Sequence, residues 1–471
     1  MKIVLNIKDE YIKSLKYILF VIAFLLWISY VYFIEWGQIE SPTDKLYLLI
    51  AAIFWIYMAV NLWANDIANN MWPAVWSKAL TLTWAIIIAA IMEASGAIIA
   101  WGDVVDTIKS WIINQELITN SFISISIMLA TLLWAAIWIN VATYVKAPVS
   151  ATHAIIWALL WAWITAQWFW IVYWNKVWMI AVAWVIAILM WGIIAVIFLK
   201  SIQKNILDQE NKWEAAKHWV PIYVWIMSVI FSIYLLLKWL KPLIKSNDYL
   251  HSLITPASAT FTWIVIWIIV YILLIIHYKK QKDWFFKDKK KFVNKLFNWP
   301  LIFAVALLSF AHWSNDVANA IWPLASIYDT IKNWKIAWGW VDIPTWIMLL
   351  WAFSLSWWLA VFWARLIKSV WNEITKLNQI RAFCVALSAA VTVIIASQLG
   401  LPVSSTQIAI WAIFWIWLFR EHEKRSTWKS KEYIDKWEIK KIILSWVVTL
   451  PVAWVISSIT FFIYYQYNVI K

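Results

Sequence analysis

Charge, glycine and cysteine are all scarce in this chain. Only 14% of its 471 residues are charged, against roughly 25% in soluble domains. That leaves too little polar surface to clothe a soluble globular enzyme or to keep a chain disordered. The 64% hydrophobic content also excludes a nucleic-acid binder, despite a net charge of +14. One cysteine, Cys384, rules out a disulfide framework within the chain and points away from redox chemistry. Apolar runs long enough to cross hydrocarbon recur from end to end instead, the pattern of an all-α polytopic membrane protein.

The glycine shortage has a counterpart. The chain holds 6 Gly and 46 Trp, whereas Gly averages about 7% of residues and is commoner still in membrane helices. Tryptophan normally gathers at the two membrane interfaces, where its N–H meets water. Here it also stands mid-span and in tight polar stretches such as Trp63-Ala64-Asn65-Asp66 and Trp72-Pro73. The expectation is that most of these tryptophans are glycines encoded by UGA, a codon the source organism reads as glycine. Gly96, Gly102 and Gly400 would then come from ordinary glycine codons. The alternative is a chain that is truly rich in tryptophan.

Spanning segments are predicted near 17–35, 46–66, 79–101, 120–143, 148–170, 177–199, 219–240, 258–277, 299–321, 341–364, 380–399, 402–419 and 442–464. The first follows Lys8, Lys13 and Lys16 but is too long for a signal-peptide core and lacks an Ala-x-Ala-type site, so it reads as a retained helix. Lysines between Lys279 and Lys295 give the strongest cytoplasmic signal. The loops 200–217 and 420–441 read the same way, which places the N-terminus inside and Glu35, Glu40 and Asp44 outside.

Two motifs each occur twice. Asn65-Asp66-Ile67-Ala68-Asn69 returns as Asn315-Asp316-Val317-Ala318-Asn319, 250 positions on. Pro148-Val149-Ser150-Ala151-Thr152-His153 returns as Pro402-Val403-Ser404-Ser405-Thr406-Gln407, 254 positions on. Trp157, Trp161 and Trp163 follow the first hydroxyl cluster at the offsets of Trp411, Trp415 and Trp417 after the second. Read as glycine, those positions form a small-xxx-small face for close helix packing. Six segments, one connecting helix and six more place the second unit upside down. The reading is thus 12–13 transmembrane segments in an inverted-topology repeat with broken or re-entrant helices, the architecture of secondary transporters. It divides into a first repeat at 1–199, a cytoplasmic loop and connecting helix at 200–257, and a second repeat at 258–471.

Asp66 and Asp316 are the costly residues, since an intramembrane aspartate costs about 2.5–3.5 kcal/mol on insertion scales. Asn65, Asn69 and Asn70 accompany one, and Asn315 and Asn319 the other. Carboxylate and amide oxygens suit a hard cation, so Asn65, Asn69, Asn315, Asn319 and the mid-span Glu93 are candidate cation ligands. Na+ is a candidate at Asn65, Asp66, Asn315 and Asp316. An Asn/Asp helix cap is the plainer alternative, weakened by the repetition. Glu93 reads equally as a member of a buried pair, and His312 as a packed or hydrogen-bonded side chain. Pro148 and Pro402 interrupt a helix, and the Ser and Thr that follow suit a helix N-terminus, which attracts anions. Asp66, Asp316, Ser150, Thr152, Ser404, Ser405 and Thr406 are therefore the candidate cage for one tetrahedral oxyanion. The motif could sit at the tip of a re-entrant hairpin or between two full crossings.

The doubled Asn-Asp-x-Ala-Asn and Pro-Val-Ser-x-Thr motifs resemble the inorganic phosphate transporter family, over nearly the whole chain. Leu399-Gly400-Leu401-Pro402-Val403-Ser404 and Ser445-Trp446-Val447-Val448-Thr449-Leu450-Pro451 share the resemblance. In that family glycine commonly stands where Trp63, Trp157, Trp161, Trp411 and Trp415 stand here, while Trp184 and Trp446 look authentic. Ala151 and Gln407 depart from the pattern and bear on the ligand set at those positions. The resemblance implies phosphate uptake across the cytoplasmic membrane, driven by Na+ or H+, with no catalytic residues and no cofactor. Phosphate and membrane lipid are the expected partners, nucleic acid is not, and a homodimer is a candidate assembly. The rivals are a sulfate or other oxyanion permease, a cation channel, and an intramembrane enzyme using Asp66 or Asp316 with His153. A channel needs polar residues at every depth, and an enzyme needs unlike acid and base roles; the paired motifs offer neither.

Overall fold

Apolar segments in hydrocarbon become helices because each backbone N–H and C=O must find its partner inside the segment. The computed structural model describes residues 39–99, 120–144, 149–236, 256–280, 289–333, 377–425 and 436–469, with scattered positions in 18–37 and 104–117 and residues 344 and 347. Its helices are α1 Pro42–Trp76, α2 Leu82–Ile99, α3 Ser121–Tyr144, α4 Ala151–Gln167, α5 Trp174–Ile202, α6 Lys212–Leu235, α7 Pro256–Lys279, α8 Lys289–Leu296, α9 Asn298–Asn333, α10 Gln379–Gln398, α11 Ser405–Arg425 and α12 Lys436–Val469. Eight stretches among the described residues are long and apolar enough to cross a membrane. The expected span at 341–364 lies outside the described residues except for residues 344 and 347, and that at 17–35 is described in part, with a shorter apolar helix over Val21–Tyr30. Each remaining predicted segment falls on a helix.

The two Asn-Asp motifs ride on the longest helices, α1 with 35 residues and α9 with 36. At 1.5 Å per residue each is roughly 50 Å long, well beyond the ~30 Å hydrocarbon core. Both helices run unbroken through their motifs. The helix-end cap foreseen as the alternative role for Asp316 is thereby excluded. The breaks fall at the Pro-Val-Ser motifs instead.

Those breaks are hairpin tips. Alongside α1, helix α3 runs in the same direction, with the Tyr47 and Phe122 rings 6.3 Å apart near one end. Further along, Asn140 donates to the Asn61 side-chain oxygen at 2.7 Å. Helix α4 then returns to the end where α3 began, since the flanking strands of chain are tied by Asn114 N–H to Ile171 O (2.7 Å) and Tyr173 N–H to Ile112 O (3.0 Å). The α10–α11 pair repeats the plan beside α9: Asn378 donates to Asn294 at the start (2.9 Å), Asn315 to Ser397 near the tip (3.2 Å). Gln379, where α10 begins, donates to the Ser77 carbonyl just past the end of α1 at 2.9 Å. The two hairpins therefore enter from opposite ends of the bundle. The first arm of each hairpin, Ser121–Ala142 and Gln379–Gln398, is itself long and apolar enough to cross a membrane.

The last helix of each half crosses to the other. Helix α5 packs on α10 and α11, and α12 packs on α3 and α4. At one end the basic loops converge: the Trp213 and Phe292 rings lie 4.3 Å apart, and Lys200 sits over the Phe419 ring at 5.7 Å. Helix α2 approaches α9 so closely that a Cβ on Gly96 would lie 2.2 Å from the Phe310 carbonyl oxygen. Only glycine fits there.

The tryptophans divide into two groups. Trp184 and Trp191 donate their indole N–H groups to Pro402 O (2.7 Å) and Ser388 Oγ (3.0 Å). Trp134, Trp138, Trp161, Trp163, Trp267 and Trp322 have buried indole nitrogens with no hydrogen-bond partner among the described residues. Each such group costs about 1–3 kcal/mol, and a buried Trp ordinarily finds an acceptor.

Candidate functional site

Each hairpin tip ends in a serine that starts the returning helix. Ser150 is extended (φ −86°, ψ 119°), and its Oγ accepts the His153 N–H at 3.1 Å. Ser404 Oγ accepts the Gln407 N–H at 3.2 Å. Each hydroxyl thereby satisfies an orphan helix donor while keeping its own O–H to give. Ser150, Thr152, Ser404, Ser405 and Thr406 are all buried.

Opposite the first tip stands the middle of α9. Thr152 Oγ1 lies 3.2 Å from Asp316 Oδ1 and 3.1 Å from the Val403 carbonyl oxygen in the second tip. A hydroxyl has one proton, so it serves one of these acceptors at a time. Asn319 donates to Thr152 Oγ1 (3.1 Å) and to Asp316 Oδ1 (3.3 Å). Its own Oδ1 is buried with no hydrogen-bond partner among the described residues. Thr152 thus touches the other half's helix and the other half's tip.

Asp316 is fixed on its second oxygen as well. His312, one turn earlier, places Nε2 2.7 Å from Asp316 Oδ2, and both side chains are buried. The Asn70 amide nitrogen lies 3.0 Å from His312 Nδ1 and 3.3 Å from Glu93 Oε1. An amide NH2 has two protons to give and none to take, which makes Nδ1 the acceptor and puts the imidazole proton on Nε2, the nitrogen nearest the carboxylate. A continuous chain results: Glu93, Asn70, His312, Asp316. Glu93 therefore belongs to a buried polar chain that reaches the Asp316 carboxylate through two side chains.

Asn315 does different work. Its Oδ1 accepts the Val403 N–H (3.1 Å), and its Nδ2 donates to Leu401 O (3.0 Å) and Ser397 Oγ (3.2 Å). The residue beside the aspartate thus pins the second tip to α9. Tyr234 reaches the same cluster through Ser314 at 2.5 Å. Asn65, Asp66 and Asn69 lie along the α1 backbone, but their side chains, and all of Pro148, fall outside the described residues. Sequence reading missed the Asn70–His312 link. The i,i+4 spacing of His312 and Asp316 was a usable signal, whereas nothing in the sequence ties Asn70 to a helix 242 positions away.

Two interlocked hairpins on antiparallel motif helices can be compared with known proteins. The sequence profile of the phosphate transporter family matches residues 63–457. The chain belongs to that family. It is a family of transporters, not enzymes, as the doubled motifs led one to expect. A Helicobacter pylori protein named "Putative phosphate permease" is 42% identical over 387 residues, 81% of this chain and 70% of the relative. Another so named, from Pyrococcus furiosus, is 31% identical over 417 residues, 88% of this chain and 95% of that one. A solved structure described as the sodium-dependent phosphate transporter matches with a TM-score of 0.76 at 26% identity, over 89% of this chain and 98% of that one.

Proposed function

We propose that this family member imports inorganic phosphate across the cytoplasmic membrane in symport with Na+. The observation that carries the reading is the position of Thr152, within hydrogen-bond reach of both Asp316 and Val403. A residue of one half is thus in contact with the helix and the tip of the other. Phosphate would take the place of these direct contacts. Donors come from the Thr152 hydroxyl, its counterpart Thr406, the neighbouring Ser405, and the N-termini of α4 and α11.

The charge count requires company for the anion. Phosphate beside Asp66 and Asp316 is repelled unless cations enter with it or protons neutralise it. Asn319 Oδ1, buried and unbonded beside Asp316 among the described residues, is an oxygen donor of the kind a hard cation takes, and Asn69 is its sequence counterpart. The sodium dependence in the description of the matched structure favours Na+ over H+. We read the antiparallel halves as an inverted repeat, with the domain division given above and the basic loops on the cytoplasmic side.

Radiolabelled phosphate uptake into proteoliposomes tests this directly. Uptake should rise with an inward Na+ gradient and resist excess sulfate. Uptake driven equally by a proton gradient without Na+ would reassign the coupling ion, and sulfate competing at equal concentration would reassign the substrate.

A further inference from the structure

The two residues at which the tips differ most turn out to face each other. His153 and Gln407 occupy the same place in the two motifs, each donating its backbone N–H to the capping serine. Their side chains meet, with Gln407 Nε2 3.0 Å from His153 Nδ1. The edge of Trp184 on α5 closes over the histidine, ring centroids 3.7 Å apart at 85°, while its indole N–H holds the Pro402 carbonyl of the second tip. Successive residues on a helix point about 100° apart. Thr152 therefore faces α9 and Asp316, and His153 faces α5.

We propose that His153 and Gln407 form a latch, roofed by Trp184, that holds the two hairpin tips at a fixed spacing. They are positioning residues for the oxyanion cage, and the proposal rests on the phosphate reading above. The chemistry suits the task. A glutamine amide offers its nitrogen to a bare Nδ1 or, turned over, its oxygen to an Nδ1–H, so the contact survives either tautomer. It joins residues 254 positions apart, one in each half, so closing it sets the width of the cage. A cavity of about 310 Å³ lies against the pair, bounded by Trp157, Trp184, Thr449 and Leu450 among others. Among the described residues, His153 is the only titratable group in its lining.

The test is a mutant cycle read twice, by phosphate uptake and by unfolding temperature in detergent. His153→Ala and Gln407→Ala should each raise the half-saturating phosphate concentration about tenfold, the scale of one buried hydrogen bond, with maximal rate nearly unchanged. The double alanine variant should be no worse than either single. The exchange variant, His153→Gln with Gln407→His, should recover to within about threefold of the parent, because the contact is rebuilt in mirror image. Multiplying effects in the double variant, or an exchange variant as impaired as the singles, would overturn the latch. If the parent moves no phosphate, the functional reading fails, and the latch is judged on unfolding temperature alone. Non-additive losses support it there, and additive losses refute it.

Discussion

The α9 half and the α1 half share their motifs almost letter for letter, yet they are not equivalent in their surroundings. Beside Asp316 stands His312, linked through Asn70 to Glu93. The corresponding places in the other half hold Leu62 for His312 and Ala320 for Asn70. One aspartate therefore has an imidazole in close contact, and its counterpart has none at the equivalent position. A repeat supplies the scaffold twice, and small departures assign the copies different work.

The largest effect should come from removing either carboxylate. Asp66→Asn and Asp316→Asn are each expected to abolish coupled phosphate uptake. Full transport in both variants would break the comparison at its root. Thr152→Ala and Thr406→Ala should come next, each raising half-saturating phosphate by about tenfold. A loss confined to Thr152 would show that only one tip binds the anion.

The imidazole chain sharpens the asymmetry. Asn70→Ala should free His312 to turn from Asp316 and lower the apparent affinity for Na+ several-fold, while Ala320→Asn should change little. Equal effects from the two would deny His312 its special role. The smallest effect on the site concerns composition. Peptide mass spectrometry of the native protein should find glycine at positions 134, 138, 161 and 163, and tryptophan at 184. Tryptophan at all five would refute the codon reading, and glycine at 184 would remove the roof of the latch.

Much of this was legible beforehand because hydrocarbon imposes simple rules. Long apolar runs located the helices, and paired prolines located their breaks. The duplicated Asn-Asp and Pro-Val-Ser segments named the residues around Thr152 and Asp316. Three features were not legible, for one physical reason. The roles of Asn315 as a pin, Asn70 as a bridge and His153 as a latch each depend on a partner far away in sequence, so no local pattern encodes them. The ends of the bundle at which the two hairpins enter were hidden likewise. Only contacts such as Gln379 with Ser77 fix where a hairpin enters.

Equilibrium binding of radiolabelled phosphate to the purified protein, with Na+ varied, tests the central idea most directly. One phosphate should bind per chain, tighter as Na+ rises, and binding should be lost when either Thr152 with Asp316 or Thr406 with Asp66 is replaced. Two independent phosphates per chain, or undiminished binding after one set is removed, would contradict a single site shared between the halves.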